Sequence, residues 1–267
     1  DLLIVLGDRY ETLAVSMAAV NQKIPIAHLY GGEATQGAID DSIRHAITKL
    51  SYLHFTSTDT YRKRVIQLGE HPDRVFNVGA IGIENILNEK LLSKKELEKE
   101  LNMDLHKPYA MVCFHPVTLE YNSSKDQITA LLEACKAYTN MNFIFTKTNA
   151  DSDGRIINQL IDKYTRENDN ITAFTSLGMI KYLSALRHCA MAVGNSSSGL
   201  LEAPSFGIPT INIGERQKGR IQATSVINCN PTEEEIKQAI EKASTDAFIK
   251  QAQKTVNPYG NGNTSEK

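Results

Sequence analysis

A chain of 267 residues is long enough for one large domain or two of ordinary size, and a hydrophobic content of 41% supports real cores. A net charge of −2 gives no general attraction to nucleic acid or to an anionic membrane surface, and no apolar run reaches membrane-spanning length. The four cysteines, Cys113, Cys135, Cys189 and Cys229, lie in or beside apolar runs with no Cys-x-x-Cys pair and no zinc-like spacing to histidine. Buried free thiols in a reducing cytoplasm are therefore expected.

Residues 2–6 form an apolar run that reads as a central buried strand, ending at Gly7-Asp8-Arg9. Such a strand needs neighbours on both sides, so the start reads as part of a longer protein, as does the loop-like end at 257–263. Residues 11–21 have helical spacing, with Leu13, Ala14, Met17, Ala18 and Val20 apolar. A strand at 24–29 ends at Tyr30-Gly31-Gly32-Glu33, and a polar loop leads to an amphipathic helix at 40–50. A strand at 53–56, a helix at 59–68 and a strand at 75–78 complete a first α/β series. Residues 84–105 turn helical and charge-laced, which fits either a connection between domains or a solvated surface helix.

A second series follows, with strands at 109–114, 142–146, 171–174, 191–193 and 210–213. Helices are expected at 125–139, 154–168, 179–188, 233–243 and 247–256. The expected architecture is α/β, two Rossmann-like domains facing a cleft, with the first incomplete. Residues 1–100 make the first domain, 101–256 the second, and 257–267 the start of a return segment.

Residues 192–220 concentrate the chemistry. A strand runs into Gly194-Asn195-Ser196-Ser197-Ser198-Gly199, and a helix begins at Leu200. A small-residue turn before a helix offers free backbone N–H groups, three hydroxyls and the positive helix end, a set suited to phosphate. The next strand ends in Gly214-Glu215-Arg216-Gln217-Lys218-Gly219-Arg220, whose cations suit a diphosphate. Each piece alone also reads as an ordinary turn or a solvated loop. Together, at successive strand ends, they favour an anion site. The stretch is neither a Walker loop nor a GxGxxG turn.

Asp8 follows a buried strand, either facing a ligand crevice or capping the next helix. Glu33 ends a Gly-Gly turn that lets backbone approach a ligand. Asp40 and Asp41 open a helix on which Asp40 and Arg44, or Asp41 and His45, share a face. His115 follows the strand ending at Phe114 and reads either as a phosphate donor or as a packed turn residue. Asn149 lies in a polar strand-end loop suited to a base, ribose or sugar. His28, His54, His71, His106 and His188 show no metal-like arrangement and read as structural.

Gly7-Asp8-Arg9, Gly31-Gly32-Glu33, the string DDSIRHAITKL at 40–50, Phe114-His115-Pro116, GNSSSG at 194–199 and RQKGR at 216–220 together resemble the UDP-N-acetylglucosamine 2-epimerase family, and its hydrolysing branch most closely. That branch belongs to sialic- and legionaminic-acid-type pathways of bacterial surface polysaccharides. The resemblance implies a glycosyltransferase-B-like fold, a UDP-sugar substrate, no metal, no cofactor, and a homodimer or homotetramer. It implies anti elimination of UDP followed by hydration, yielding a free 2-epimerised sugar. Asp8, Glu33 and Asp40 are the implied catalytic carboxylates. Arg9, His115, Ser196, Ser197, Arg216 and Arg220 are implied for the diphosphate, with Glu202 for the ribose and Arg44, His45 and Asn149 also at the substrate. Some relatives carry an acid where Tyr30 stands, which leaves the identity of the C2 base open. A non-hydrolysing epimerase, a glycosyltransferase of the same fold and a non-catalytic nucleotide-sugar sensor are the alternatives.

Overall fold

The computed structural model describes residues 1–34, 40–117, 123–148 and 154–267. By its contacts the chain divides into two units. The first comprises Asp1–Leu87, Lys218–Arg220 and Pro258–Lys267, and the second Asn88–Gln217 and Ile221–Asn257. The division falls after Leu87, where the sequence reading drew it at residue 100.

The first unit alternates β1 (Leu3–Leu6), α1 (Tyr10–Asn21), β2 (Ile26–Leu29), α2 (Asp40–Leu50), β3 (Leu53–Thr56), α3 (Asp59–Gln67), β4 (Val75–Asn77) and α4 (Ile81–Asn88). Its four strands are parallel and lie in chain order, with Leu3 opposite Ile26, Ala27 opposite Leu53 and His54 opposite Val75. Among the described strands β1 pairs with β2 alone, with Val5 buried and Ile4 63% and Leu6 54% exposed in this chain. The anticipated apolar stripe of α1 is also largely exposed, and Ser16 and Ala19 are buried instead. With apolar residues on every side of α1, spacing alone did not single out the face that packs.

The second unit comprises α5 (Lys94–Leu101), β5 (Tyr109–Cys113), α6 (Ser124–Lys136), β6 (Asn142–Thr146), α7 (Gly154–Glu167), β7 (Ile171–Phe174), α8 (Gly178–His188), β8 (Met191–Gly194), α9 (Ser198–Leu201), β9 (Thr210–Ile213), β10 (Val226–Cys229), α10 (Glu233–Ala243) and α11 (Asp246–Gln253). Its six parallel strands take the order β10-β9-β8-β5-β6-β7. Alternate residues fill opposite faces. Ala110, Val112, Phe143 and Phe145 join Leu131, Ile157 and Ile240 in one core, while Tyr109, Met111 and Ile144 join Leu97, Leu101 and Leu186 in another. Burial on both faces is why these strands read as continuous apolar runs.

The polar stretch at 84–105 contains two helices rather than one. The first ends at Asn88, and Ser93 caps the second, its hydroxyl accepting from Glu96 N while the Glu96 carboxylate accepts from Ser93 N. α5 buries Leu97 and Leu101 and is not a solvated helix. β10 was not anticipated, since Asn228 interrupts its four residues. That amide reaches across the pair, accepting from Asn212 Nδ2 at 2.8 Å. Among the described residues no helix is long and apolar enough to cross a membrane.

Candidate functional site

In the first unit, chemistry gathers at the carboxyl ends of β1 and β2. Gly7 takes a positive φ of 78° and donates its N–H to Leu29 O, turning the chain so that Asp8 leaves the strand end. Arg44 of α2 reaches this turn with only 1% exposure. Its guanidinium pairs with Asp8, lies 3.2 Å from Asp41 Oδ1 and donates to Glu33 O at 2.7 Å. A buried guanidinium requires this many acceptors, because each unmet donor would carry its own desolvation penalty. Asp41 also lies 3.7 Å from His45 Nε2. The expected Asp41–His45 pairing is therefore present, whereas Arg44 takes Asp41 and not Asp40 as its partner within the helix. Burial, ahead of the opposing charge of Asp41, pushes the His45 imidazole below its ordinary range.

Glu33 is 2% exposed. Ser57 donates its hydroxyl to Oε1 at 2.8 Å, and Arg220 lies 3.0 Å from Oε2. The turn before Glu33 admits only glycine, since Gly32 has a φ of 77° and an added Cβ would meet Tyr61 O at 2.4 Å. Arg64 donates to Gly32 O at 2.5 Å. Asp8 and Asp41 keep 24% and 29% of their side chains exposed, so the cluster holds one sealed carboxylate and two that reach solvent. Asp40 stands half-buried at the start of α2. Arg9 turns to Glu11 at 3.3 Å, with both side chains half exposed.

His28 braces the same turn. Its Nε2–H donates to Gly7 O at 2.8 Å, and Nδ1 lies 3.2 Å from Thr48 Oγ1. The ring is fully buried, and desolvation, ahead of the opposing bond to Gly7, pushes its pKa from 6.5 down to about 4. Between those two values the unfolded chain binds a proton that the folded one refuses. The stabilisation is complete above about 6.5 and is lost as pH falls toward about 4, a difference of roughly 3 kcal/mol. Urea unfolding followed between pH 7 and pH 4.5 should show this loss in the first unit. His28→Gln, which keeps a donor for Gly7 O and cannot titrate, should flatten it.

In the second unit the chain runs outward from β5 through β6 to β7, then resumes on the other side of β5 with β8, β9 and β10. The reversal lies between β5 and β8, where open α/β sheets bind ligands. Asn195, absent from the sequence-based candidates, joins the two loops there. It is fully buried, its Oδ1 accepts from His115 N at 2.7 Å, and its Nδ2 donates to His115 O at 2.8 Å. Its own carbonyl accepts from Arg216 Nη1 at 3.0 Å and from Gln217 Nε2 at 2.8 Å. One asparagine thus holds His115 and the 214–217 loop against the serine-rich turn. An Asn beside a Gly was the only sequence signal for it. The His115 ring is set between Thr148 Oγ1 at 2.9 Å and Cys113 Sγ at 3.3 Å.

Ser196 and Ser197 precede the single turn of α9, both half-buried. Ser198 donates to Glu202 Oε2 at 2.5 Å and accepts from Tyr182 OH at 2.7 Å. Burial, ahead of the Ser198 bond, pushes the Glu202 carboxyl above its ordinary range. Asn149 lies outside the described residues. The three loop cations do not act as one group. Arg216 belongs with the second unit, while Lys218 and Arg220 belong with the first, where Arg220 is committed to the Glu33 carboxylate. Among the described residues, the grouping with metal-ligand spacing is Glu98, Asp104 and His106. The latter two are exposed and paired with each other at 2.5 Å, a solvated ion pair.

Comparison with known proteins gives the family. The family model described as UDP-N-acetylglucosamine 2-epimerase matches residues 1–267. The chain is 44% identical over 249 residues to the GDP/UDP-N,N'-diacetylbacillosamine 2-epimerase (hydrolyzing) of Campylobacter jejuni, covering 93% of this chain and 64% of that protein. It is 44% identical to the polysialic acid biosynthesis protein P7 of Escherichia coli, covering 97% and 66%. It is 34% identical to the UDP-N,N'-diacetylbacillosamine 2-epimerase (hydrolyzing) of Legionella pneumophila, covering 100% and 69%. The chain thus spans about two thirds of the length of these curated relatives. In fold it is similar to the UDP-GlcNAc 2-epimerase of Neisseria meningitidis solved with UDP-GlcNAc, with a TM-score of 0.85 at 20% identity, covering 99% and 74% of the two chains. With the motifs, the two parallel α/β units and the matched length in agreement, the chain belongs to the UDP-N-acetylglucosamine 2-epimerase family.

Proposed function

We propose that the whole protein is a hydrolysing UDP-sugar 2-epimerase. Its substrate is UDP-N-acetylglucosamine or a UDP-2,4-diacetamido-trideoxyglucose, and its products are UDP and the free manno-configured sugar. The reaction has two steps. A base takes the C2 proton while the C1–O bond to UDP breaks, leaving a 2-acetamidoglucal. Water then adds its oxygen at C1, and a proton returns to C2 from the opposite face.

The observation that carries the reading is the carboxylate cluster of the first unit, Asp8, Asp41 and Glu33 around Arg44 and Arg220. Both steps move protons at carbon and at water, and carboxylates held at strand ends suit that work. Asp8, about a quarter exposed, is assigned to proton transfer, with Asp40 as its companion and Glu33 as a further, fixed carboxylate of the reaction. In the second unit, His115, Ser196, Ser197 and Arg216 supply N–H and O–H donors for the departing diphosphate, and Glu202 an acceptor for ribose hydroxyls. Arg44 and Arg220, occupied by carboxylates, are assigned to organising them rather than to the diphosphate. Arg9, His45 and Asn149 remain assigned to the substrate.

The hydrolysing names of the Campylobacter and Legionella relatives support release of a free sugar, and the polysialic acid relative supports a place in nonulosonic (sialic- or legionaminic-type) acid synthesis. Cys135 and Cys189, free and buried, fit a reducing cytoplasm, and a homodimer or homotetramer is the proposed assembly. The test is incubation of the whole protein with each UDP-sugar and no acceptor, followed by chromatography. Stoichiometric UDP and free sugar support the reading; UDP-sugar consumed only when an acceptor is added points to a transferase and overturns it.

A further inference from the structure

Glu33 is gripped at four points. Arg64 holds the carbonyl of the preceding Gly32 at 2.5 Å, and Arg44 holds Glu33's own carbonyl at 2.7 Å. Arg220 stands 3.0 Å from Oε2, and the Ser57 hydroxyl donates to Oε1 at 2.8 Å. Glu33 and Ser57 are 2% and 1% exposed, so water does not readily replace either carboxylate partner. Ser57 itself follows β3 at the start of the turn into α3, where Thr58 caps the helix by accepting from Tyr61 N.

These four contacts divide into two kinds. The backbone pair places the residue, and the side-chain pair decides how its carboxylate is rotated. Arg220 alone leaves that rotation loose, because a guanidinium attracts either oxygen. A seryl hydroxyl has a single proton and a short reach, and here that proton goes to Oε1, which leaves Oε2 to the guanidinium. We propose that Ser57 is a positioning residue for Glu33, fixing the plane of its carboxylate for the reaction. The proposal rests on the assignment of Glu33 as one of the reaction's carboxylates.

A residue that acts only through Glu33 has a specific signature. Removing it lowers kcat without changing substrate affinity, and removing it matters little once Glu33 no longer reaches it. The experiment is steady-state UDP release by the whole protein and its Ser57→Ala, Glu33→Asp and doubly substituted variants, with melting temperatures recorded for each. Losing one hydrogen bond to a buried charge predicts that Ser57→Ala lowers kcat by about tenfold to a hundredfold with KM held within about twofold. In the Glu33→Asp background, whose shorter carboxylate draws back from Ser57, the same change should cost less than about twofold. Ser57→Cys, close in shape and a weaker donor, should fall between wild type and alanine. Equal losses in both backgrounds, or an unaltered kcat in Ser57→Ala, overturn the positioning role while leaving the reaction standing. No UDP release by the wild-type protein overturns both.

Discussion

Arg44→Met is expected to abolish measurable turnover and to destabilise the first unit by about 3 kcal/mol. The guanidinium is the common partner of Asp8, Asp41 and the Glu33 carbonyl, and it is 1% exposed. Methionine fills much of the same space and supplies no donor. Two carboxylates then lose their neutralising charge, and one buried carbonyl loses its hydrogen bond. Because Asp8 and Asp41 keep 24% and 29% of their side chains exposed, hydration offsets part of that cost, which is why the lower end of the buried-pair range applies. Arg44→Lys should recover little activity, since one ammonium on a flexible stem does not reproduce a fork that serves three acceptors. Urea unfolding at neutral pH and a UDP-release assay on both variants check the prediction. Wild-type stability or turnover in Arg44→Met would remove Arg44 from the centre of the cluster.

The second large effect concerns Gly194. Its φ is 132°, and an added Cβ would lie 2.0 Å from Cys113 O on the neighbouring strand. Both features exclude a side chain, the first by backbone strain and the second by collision with a backbone atom that β5 holds in the sheet. Gly194→Ala is therefore expected to cost upwards of about 3 kcal/mol, and to leave the second unit unable to present the 194–199 turn. Gly7→Ala is the matched control. That residue also has a positive φ, of 78°, yet nothing lies within 4 Å of its added Cβ, so only the backbone term of about 1 kcal/mol applies. Thermal unfolding of the two variants should separate them clearly. UDP binding, followed by calorimetry, should survive in Gly7→Ala and be lost in Gly194→Ala.

Much of the fold was legible because parallel strands buried on both faces carry a strong local signal. β3, β6, β7 and β9 have the anticipated bounds, while the Ser93–Glu96 capping box that divides the 84–105 stretch was passed over among its charges. β1 was legible by the same signal as the other strands, since an apolar run announces a strand whatever its neighbours are. The candidate site divides in the same way. Gly31-Gly32-Glu33 and the 194–199 turn declare themselves by residues that few other conformations require. Asn195 and Ser57 do not, because each matters through a long-range partner, His115 for one and Glu33 for the other. Arg220 shows the limit most plainly. In sequence it is a third cation in a basic loop, and in three dimensions it is the counter-charge of a buried glutamate.

The most direct measurement of the central claim is proton NMR of the whole protein in deuterated water with UDP-N-acetylglucosamine and, separately, UDP-2,4-diacetamido-trideoxyglucose. Elimination followed by hydration predicts free UDP together with a free manno-configured sugar carrying deuterium at C2, from one of the two substrates. A UDP-linked epimer would contradict the hydrolytic step. Intact UDP-sugar in both samples, with UDP still bound tightly, would contradict the epimerase reading itself.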